Sequence, residues 1–124
     1  MKFANVIVCD EVRIENTGKY IIIGVYSSNI VAPAFPAELL LSIWSQFYVN
    51  RNGDMDVELR VLANNKEITR GTGKFKITNY KEIVTSVFNG IPLQVQGEGM
   101  LKFQIREKNG RWKTMKKMPI HKST

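Results

Sequence analysis

The chain has 124 residues, 44% hydrophobic and 23% charged, with one cysteine, one histidine and a formal net charge of +7. That length suits one domain around one core, and the balanced composition excludes a disordered, collagenous or solenoid protein. A lone cysteine cannot form an intramolecular disulfide, and no apolar run approaches the ~20 residues of a membrane helix, so we expect no membrane partner and a cytoplasmic location.

Phe3 to Cys9 is too short for the apolar part of a signal peptide and ends on Asp10 and Glu11. Val6, Val8, Asp10 and Val12 alternate with Ile7, Cys9, Glu11 and Arg13, which predicts a strand; Glu15-Asn16-Thr17-Gly18 then turns it into a second strand from Lys19 to Tyr26. The β-branched run Ile21-Ile22-Ile23 suggests a strand covered on both faces. Pro33 and Pro36 make Ser27 to Ala37 a crossing loop.

Leu39 to Val49 fits helical spacing through Leu40, Ile43, Trp44 and Phe47. It also fits one strand face through Leu39, Leu41, Ile43, Phe47 and Val49, and the strand is favoured because Asn50 to Gly53 connects it to an alternating strand of Met55, Val57, Leu59 and Val61. Asn64-Asn65 predicts a tight turn into Lys66 to Ile77, where Gly71 and Gly73 suggest a bulge or a close backbone approach. Tyr80 to Phe88 fits either a helix or a strand. After Gly97 and Gly99, Leu101, Phe103 and Ile105 alternate with Lys102, Gln104 and Arg106, and Asn109-Gly110 predicts a two-residue hairpin turn into Arg111 to Ile120. Together these predict an all-β fold: a single antiparallel β-sandwich of about eight strands over residues 1–120, immunoglobulin-like or Greek-key, with a basic tail at 121–124. A partly open barrel is the nearest alternative.

Val8-Cys9-Asp10-Glu11-Val12-Arg13, Gly18-Lys19-Tyr20, Ile23-Gly24-Val25-Tyr26, Ile30-Val31, Pro33 and Phe35-Pro36-Ala37 together resemble a family of small bacterial proteins classed as a domain of unknown function. The resemblance covers the first third of the chain, continues only as a general pattern through Pro92, Gly97 and the last hairpin, and implies a small β-sandwich without implying an activity.

Catalysis needs a nucleophile, a base and an orienting group, or a set of metal ligands. His121 and Cys9 lie at opposite ends of the chain, and there is no Cys/His cluster for zinc and no phosphate-binding glycine loop. We therefore expect no catalytic residues, no metal and no cofactor. Cys9 reads as a small buried hydrophobe. Alternation sends Asp10 and Glu11 to opposite faces, one of them inward to a structural hydrogen bond or an ion pair with Lys19 or Arg13. Asp54, Asp56 and Glu58 share a strand face with Arg60, read as a solvated face rather than a calcium site.

Residues 1–101 hold ten basic and ten acidic side chains, and residues 102–124 hold eight against one, so the whole excess charge lies in the last hairpin. A two-residue turn would set Arg106 opposite Lys113 and Lys102 opposite Lys117, with Trp112 on the other face. Lys102, Arg106, Lys113 and Lys117 are the candidate anion-binding residues; like charges opposed in a sheet repel, and an anion would relieve them. The alternative is a solvated basic edge that discourages aggregation, helped by Lys116. Such a surface suits nucleic acid, an anionic nucleotide or an acidic protein patch; few aromatics share that face, which argues against single-strand binding, so nucleic acid stays open as a partner but is not favoured. Ile30, Val31 and Phe35 in the crossing loop are either core or a partner-docking patch. The expected function is a non-enzymatic module that binds an unknown protein partner, with self-association into a homo-oligomer included; the alternative is sequestration of a small anionic ligand such as a nucleotide.

Overall fold

Alternation of apolar and polar residues organises nearly the whole chain into strands, and a computed structural model covering residues 1–124 contains nine of them and no helix: β1 (Lys2–Ile14), β2 (Tyr20–Val25), β3 (Ile30–Ala32), β4 (Ala37–Tyr48), β5 (Gly53–Ala63), β6 (Lys66–Ile77), β7 (Val84–Val95), β8 (Gly99–Glu107) and β9 (Lys113–Lys122). They form a four-stranded sheet in the order β2-β1-β4-β7 and a five-stranded sheet in the order β3-β9-β8-β5-β6. With no helices, no helix is long and apolar enough to cross a membrane.

The inward residues of both sheets meet in one core. Val8, Leu41, Ile43, Ile91 and Leu93 come from the first sheet, and Leu59, Val61, Leu101, Phe103, Met118 and Ile120 from the second. A smaller cluster of Met55, Val57, Ile77 and Ile105 closes one end, where Phe3, Phe47, Phe75 and Phe88 stack in series with centroids 5.3, 5.6 and 6.3 Å apart. Each fully buried large side chain here contributes roughly 1.5–3 kcal/mol. Three serines are the buried polar residues. Ser45 and Ser86 share a 2.7 Å hydroxyl contact, and Ser42 donates to the Asp10 carbonyl while accepting from Gly90 N–H; each buried hydroxyl is thus satisfied, as burial demands.

Leu39 to Val49 falls largely within β4 and Met55, Val57, Leu59 and Val61 point inward on β5, as the alternation requires. Asn64 and Asn65 both adopt positive φ, +49° and +68°, which is the type I′ geometry that matches strand twist. Gly73 makes a close approach: a Cβ there would stand 3.2 Å from the Phe88 ring, whereas the space at Gly71 is open. The bulge in this ribbon lies elsewhere, between Val61 and Leu62. The ambiguous Tyr80 to Phe88 divides, with a turn through Tyr80–Lys81 and a strand from Val84.

Three expectations need correction. There are nine strands rather than eight, because the proline loop crosses to the second sheet and contributes the short β3, paired in parallel with β9 from Ile30↔Ile120 to Ala32↔Lys122. That pairing, extended by Ser123 N–H donating to the Ala32 carbonyl, keeps His121 and Lys122 in β9, so the chain does not become a tail at 121. The isoleucine run of β2 is not covered on both faces: β2 is an edge strand, and Tyr20, Ile21, Ile23 and Val25 are exposed. β-branched side chains favour extended backbone whether or not anything covers them.

The β1–β2 hairpin bends where Gly24 takes φ +70°, and the Asp10 carboxylate occupies the space a Gly24 Cβ would need. Beyond this bend the tip approaches the rest of the sheet: Asn89 of β7 brackets the Val12 backbone, accepting from its N–H at 3.1 Å and donating to its carbonyl at 2.9 Å, and the Tyr20 ring meets Trp44 edge-on at 6.2 Å. Asp10 is exposed rather than inward and accepts from Tyr26 Oη at 2.8 Å. Burial first, and then this hydrogen bond and the Asp10 charge, push the Tyr26 phenol up to about 12. A folded-state value above that of a free phenol means that the protonated form is the one stabilised, so this contribution is complete below about pH 10 and is lost as the pH rises toward 12. Phenolate absorbance should show one tyrosine ionising near 12, a step absent in Tyr26→Phe. The fall in denaturant midpoint above about pH 10 should be steeper in the parent than in that variant.

Candidate anion-binding face

With Met55, Val57, Leu59 and Val61 directed inward, alternation turns Asp54, Asp56, Glu58 and Arg60 of β5 outward. The register to β6 then sets Glu58 opposite Thr72 and Arg60 opposite Arg70. On the other side β8 sets Arg106 opposite Glu58, Gln104 opposite Arg60 and Lys102 opposite Leu62. The outer face of the five-stranded sheet is therefore built from three non-adjacent stretches of sequence.

At its centre three guanidinium groups share two carboxylates and one indole. Glu58 pairs with Arg70 at 3.1 Å through one oxygen and with Arg106 at 3.1 Å through the other. Glu67 pairs with Arg70 at 2.7 Å and lies 3.9 Å from Arg60. Arg60 also donates through Nε to Gln104, whose amide donates to Thr114. Trp112 lies against all three, its ring centroid 4.2 Å from the Arg60 Cζ, 4.3 Å from that of Arg106 and 5.2 Å from that of Arg70. The negative faces of an indole attract guanidinium by about 0.5–2 kcal/mol per contact, enough to offset the repulsion of Arg60 and Arg70 placed side by side. Hydrogen bonding to Arg70 holds the Glu67 carboxyl below its usual range.

Of the four cations expected to act together, the structure brings three to this face and removes one. Lys102 and Lys117 stand directly opposite each other, as anticipated; Lys102 donates to Asn65 Oδ1 at 2.9 Å, and neither lysine has a carboxylate partner. Arg106 is on the face but is engaged by Glu58 and Trp112. Lys113 opposes Ile105 instead of Arg106, reaches the Met1 carbonyl at 2.6 Å and lies over the Phe3 ring. The cause is the turn. Gly110 N–H closes onto the Glu107 carbonyl, Asn109 takes φ +69°, and five residues separate the strands instead of two. The register is thereby offset by one until a bulge at Met115, between the Phe103 and Gln104 pairings, restores it for Lys102 and Lys117. The wider loop also puts Trp112 on the outer face rather than the inner one.

Arg60, Arg70 and Trp112 were not singled out from the sequence. Arg60 entered only in the Asp54-Asp56-Glu58 row and Trp112 only as a residue of the inner face; the cluster itself depends on which strands flank β5. Glu107, the sole acid of the last hairpin, is held below the usual carboxylate range chiefly by a two-pronged contact from Arg51 at 2.9 and 3.2 Å. Beside the cluster lies an open groove of about 570 Å³ lined by Asp56, Glu58, Thr72, Lys74 and Lys108. No group of three or more His, Cys, Asp or Glu side chains is arranged to hold a metal ion.

The loop patch separates in the same way. Ile30 is buried and Phe35 packs against the core, so of the proposed docking residues only Val31 is exposed. Cys9 is buried, its thiol pushed up by burial and then by Asp10, and lies 3.7 Å from the Ser42 carbonyl. Glu11 pairs with Arg13 at 3.3 Å with both side chains at least half exposed, a contact worth little.

The chain belongs to a family of unknown function, DUF6941, whose model matches residues 5–120. The match spans both sheets and extends the resemblance seen in the first third of the chain. No curated protein matches the chain.

Glu58 holds two arginines, so Glu58→Gln should lower unfolding stability by about 1 kcal/mol at low ionic strength, each partly exposed pair being worth ~0–1 kcal/mol. Urea titrations should show this difference shrinking in about 1 M salt, where screening is complete within a few ångströms. Equal stability of variant and parent at low salt would mean that the carboxylate does not hold the cluster.

Proposed function

We propose that this family member is a non-enzymatic binding module that docks the outer face of its five-stranded sheet onto an acidic protein surface. The observation that carries the reading is the opposed pair Lys102 and Lys117, without a carboxylate between them, beside arginines whose carboxylates are already engaged. Arg111, in the adjoining loop, is exposed and likewise has no ion-pair partner. Opposed lysines repel, and an acidic partner that inserts a carboxylate removes that cost while gaining attraction of its own.

Two observations favour a protein over other anions. Trp112 is flanked by Arg60 and Arg106, which leaves it poorly placed to stack on a nucleic-acid base. The neighbouring groove carries Asp56 and Glu58 as well as Lys74 and Lys108, so a small anion such as a nucleotide would meet negative charge there. Our reading also takes the β2–β4 crossing as a Greek-key connection of an immunoglobulin-like sandwich, and places the protein in the cytoplasm, where Cys9 needs no disulfide partner.

The test compares an Asp/Glu-rich peptide, a duplex DNA of similar charge and a nucleoside triphosphate as ligands for the protein and for the Lys102→Ser/Lys117→Ser variant. The peptide should bind most tightly, weaken with added salt, and lose roughly tenfold in affinity in the variant, the equivalent of about 1.4 kcal/mol. Undiminished peptide binding by a folded variant removes the lysine pair from the function, and preferential binding of duplex or triphosphate replaces the acidic-protein reading.

A further inference from the structure

Four edges bound the two sheets, and three carry features that discourage pairing with another chain. β6 bears Lys66, Glu67, Arg70, Lys74 and Lys76; β7 carries Gly90 and Pro92; β3 is three residues long. β2 bends at Gly24 but has neither a proline nor a charged side chain. It lies in the stretch from Tyr20 to Ala37, which contains no charged side chain in a protein that is 23% charged.

The hydrogen-bonding phase of the hairpin identifies which backbone groups of β2 are free. Glu15 N–H donates to the Lys19 carbonyl, and the Val12 N–H and carbonyl both face away from β2, toward Asn89. In an antiparallel ladder bonded and outward residues alternate, so Ile21 and Ile23 bond to Arg13 and Glu11 while Tyr20 and Ile22 present their backbone groups outward; the phase changes at the Gly24 bend, beyond which Tyr26 N–H donates to the Val8 carbonyl. The side chains of Ile21 and Ile23, 41 and 38% exposed, share one face beside this edge, and Val25, 56% exposed, follows the Gly24 bend.

We infer that β2 pairs antiparallel with β2 of a second copy of this chain, joining the two four-stranded sheets into one. A two-fold axis at Ile22 sets Ile22 opposite its own counterpart and Ile21 opposite Ile23 of the second copy, so the edge is complementary to itself. The charge distribution favours a second copy: two molecules of net charge +7 repel across most surfaces, and this edge lets their backbones meet without bringing charged side chains together. Ile21 and Ile23 of the two copies then meet as apolar cross-strand pairs on one face of the joined sheet. The face carrying Lys102 and Lys117 is on the other sheet and stays open in such a dimer.

The protein is examined by sedimentation equilibrium across a concentration series, beside Ile23→Lys and Val25→Lys, which place charge on exposed positions of the edge. The parent should reach twice its 14.2 kDa mass, and both variants should remain at 14.2 kDa. Amide exchange of the unmodified protein provides a test independent of variant folding: Ile22 should become protected as concentration rises, while Ile21 and Ile23 are protected throughout. A parent that stays monomeric, a folded variant that still dimerises, or a dimer with an unprotected Ile22 amide overturns the proposal. Dimerisation intact in Lys102→Ser/Lys117→Ser separates this edge from the anion-binding face.

Discussion

The register of β5 between β6 and β8 is the constraint on which the rest of the molecule depends. Successive side chains of a strand point to opposite faces, so one choice of register places Met55, Val57, Leu59 and Val61 in the core and Glu58 and Arg60 outside. A slip of one residue would bury two ion-paired groups and expose four apolar ones. The core thereby enforces the position of the outer cluster, because the apolar surface at stake outweighs any surface ion pair. Stability and the candidate site share a single geometric cause.

Once that register is set, the outer face has an electrostatic problem to solve. Arg60 and Arg70 lie side by side with Arg106 nearby. Glu58, Glu67 and the Trp112 ring offset most of this repulsion, which turns the centre of the face into a mutually braced array of polar and aromatic groups. The uncompensated charge is displaced to its border, at Lys102 and Lys117. The arginines are held by Glu58, Glu67 and Trp112 without a partner, whereas an acidic group brought to the face would give the lysines one.

The charged face and the uncharged edge belong to different sheets, and a strand edge and a sheet face recognise by different physics. Backbone hydrogen bonding at β2 is insensitive to salt and demands an extended partner. Attraction at Lys102 and Lys117 is screened by salt and tolerates many shapes. The bend at Gly24, where Asp10 occupies the space of a side chain, orients the β2 hairpin and so sets where the edge is presented.

Alternation, turn residues and composition determined that this protein is all-β, that Asn64-Asn65 is a tight turn and that Leu39 to Val49 is mainly strand, because these depend on neighbours within one strand or one hairpin; Lys102 opposes Lys117 only because the bulge at Met115 cancels the offset of the longer turn. Tertiary structure alone decided what lies beyond that range. Arg60 and Arg70 meet Arg106 only because β8 chooses β5 as its neighbour, across the 35 residues between Ala63 and Gly99. Trp112 faces outward because the loop is five residues long, and Lys113 is displaced for the same reason. Whether Ile21-Ile22-Ile23 is enclosed or left at an edge depends on whether another strand lies beside it, and isoleucine favours the extended backbone in either case.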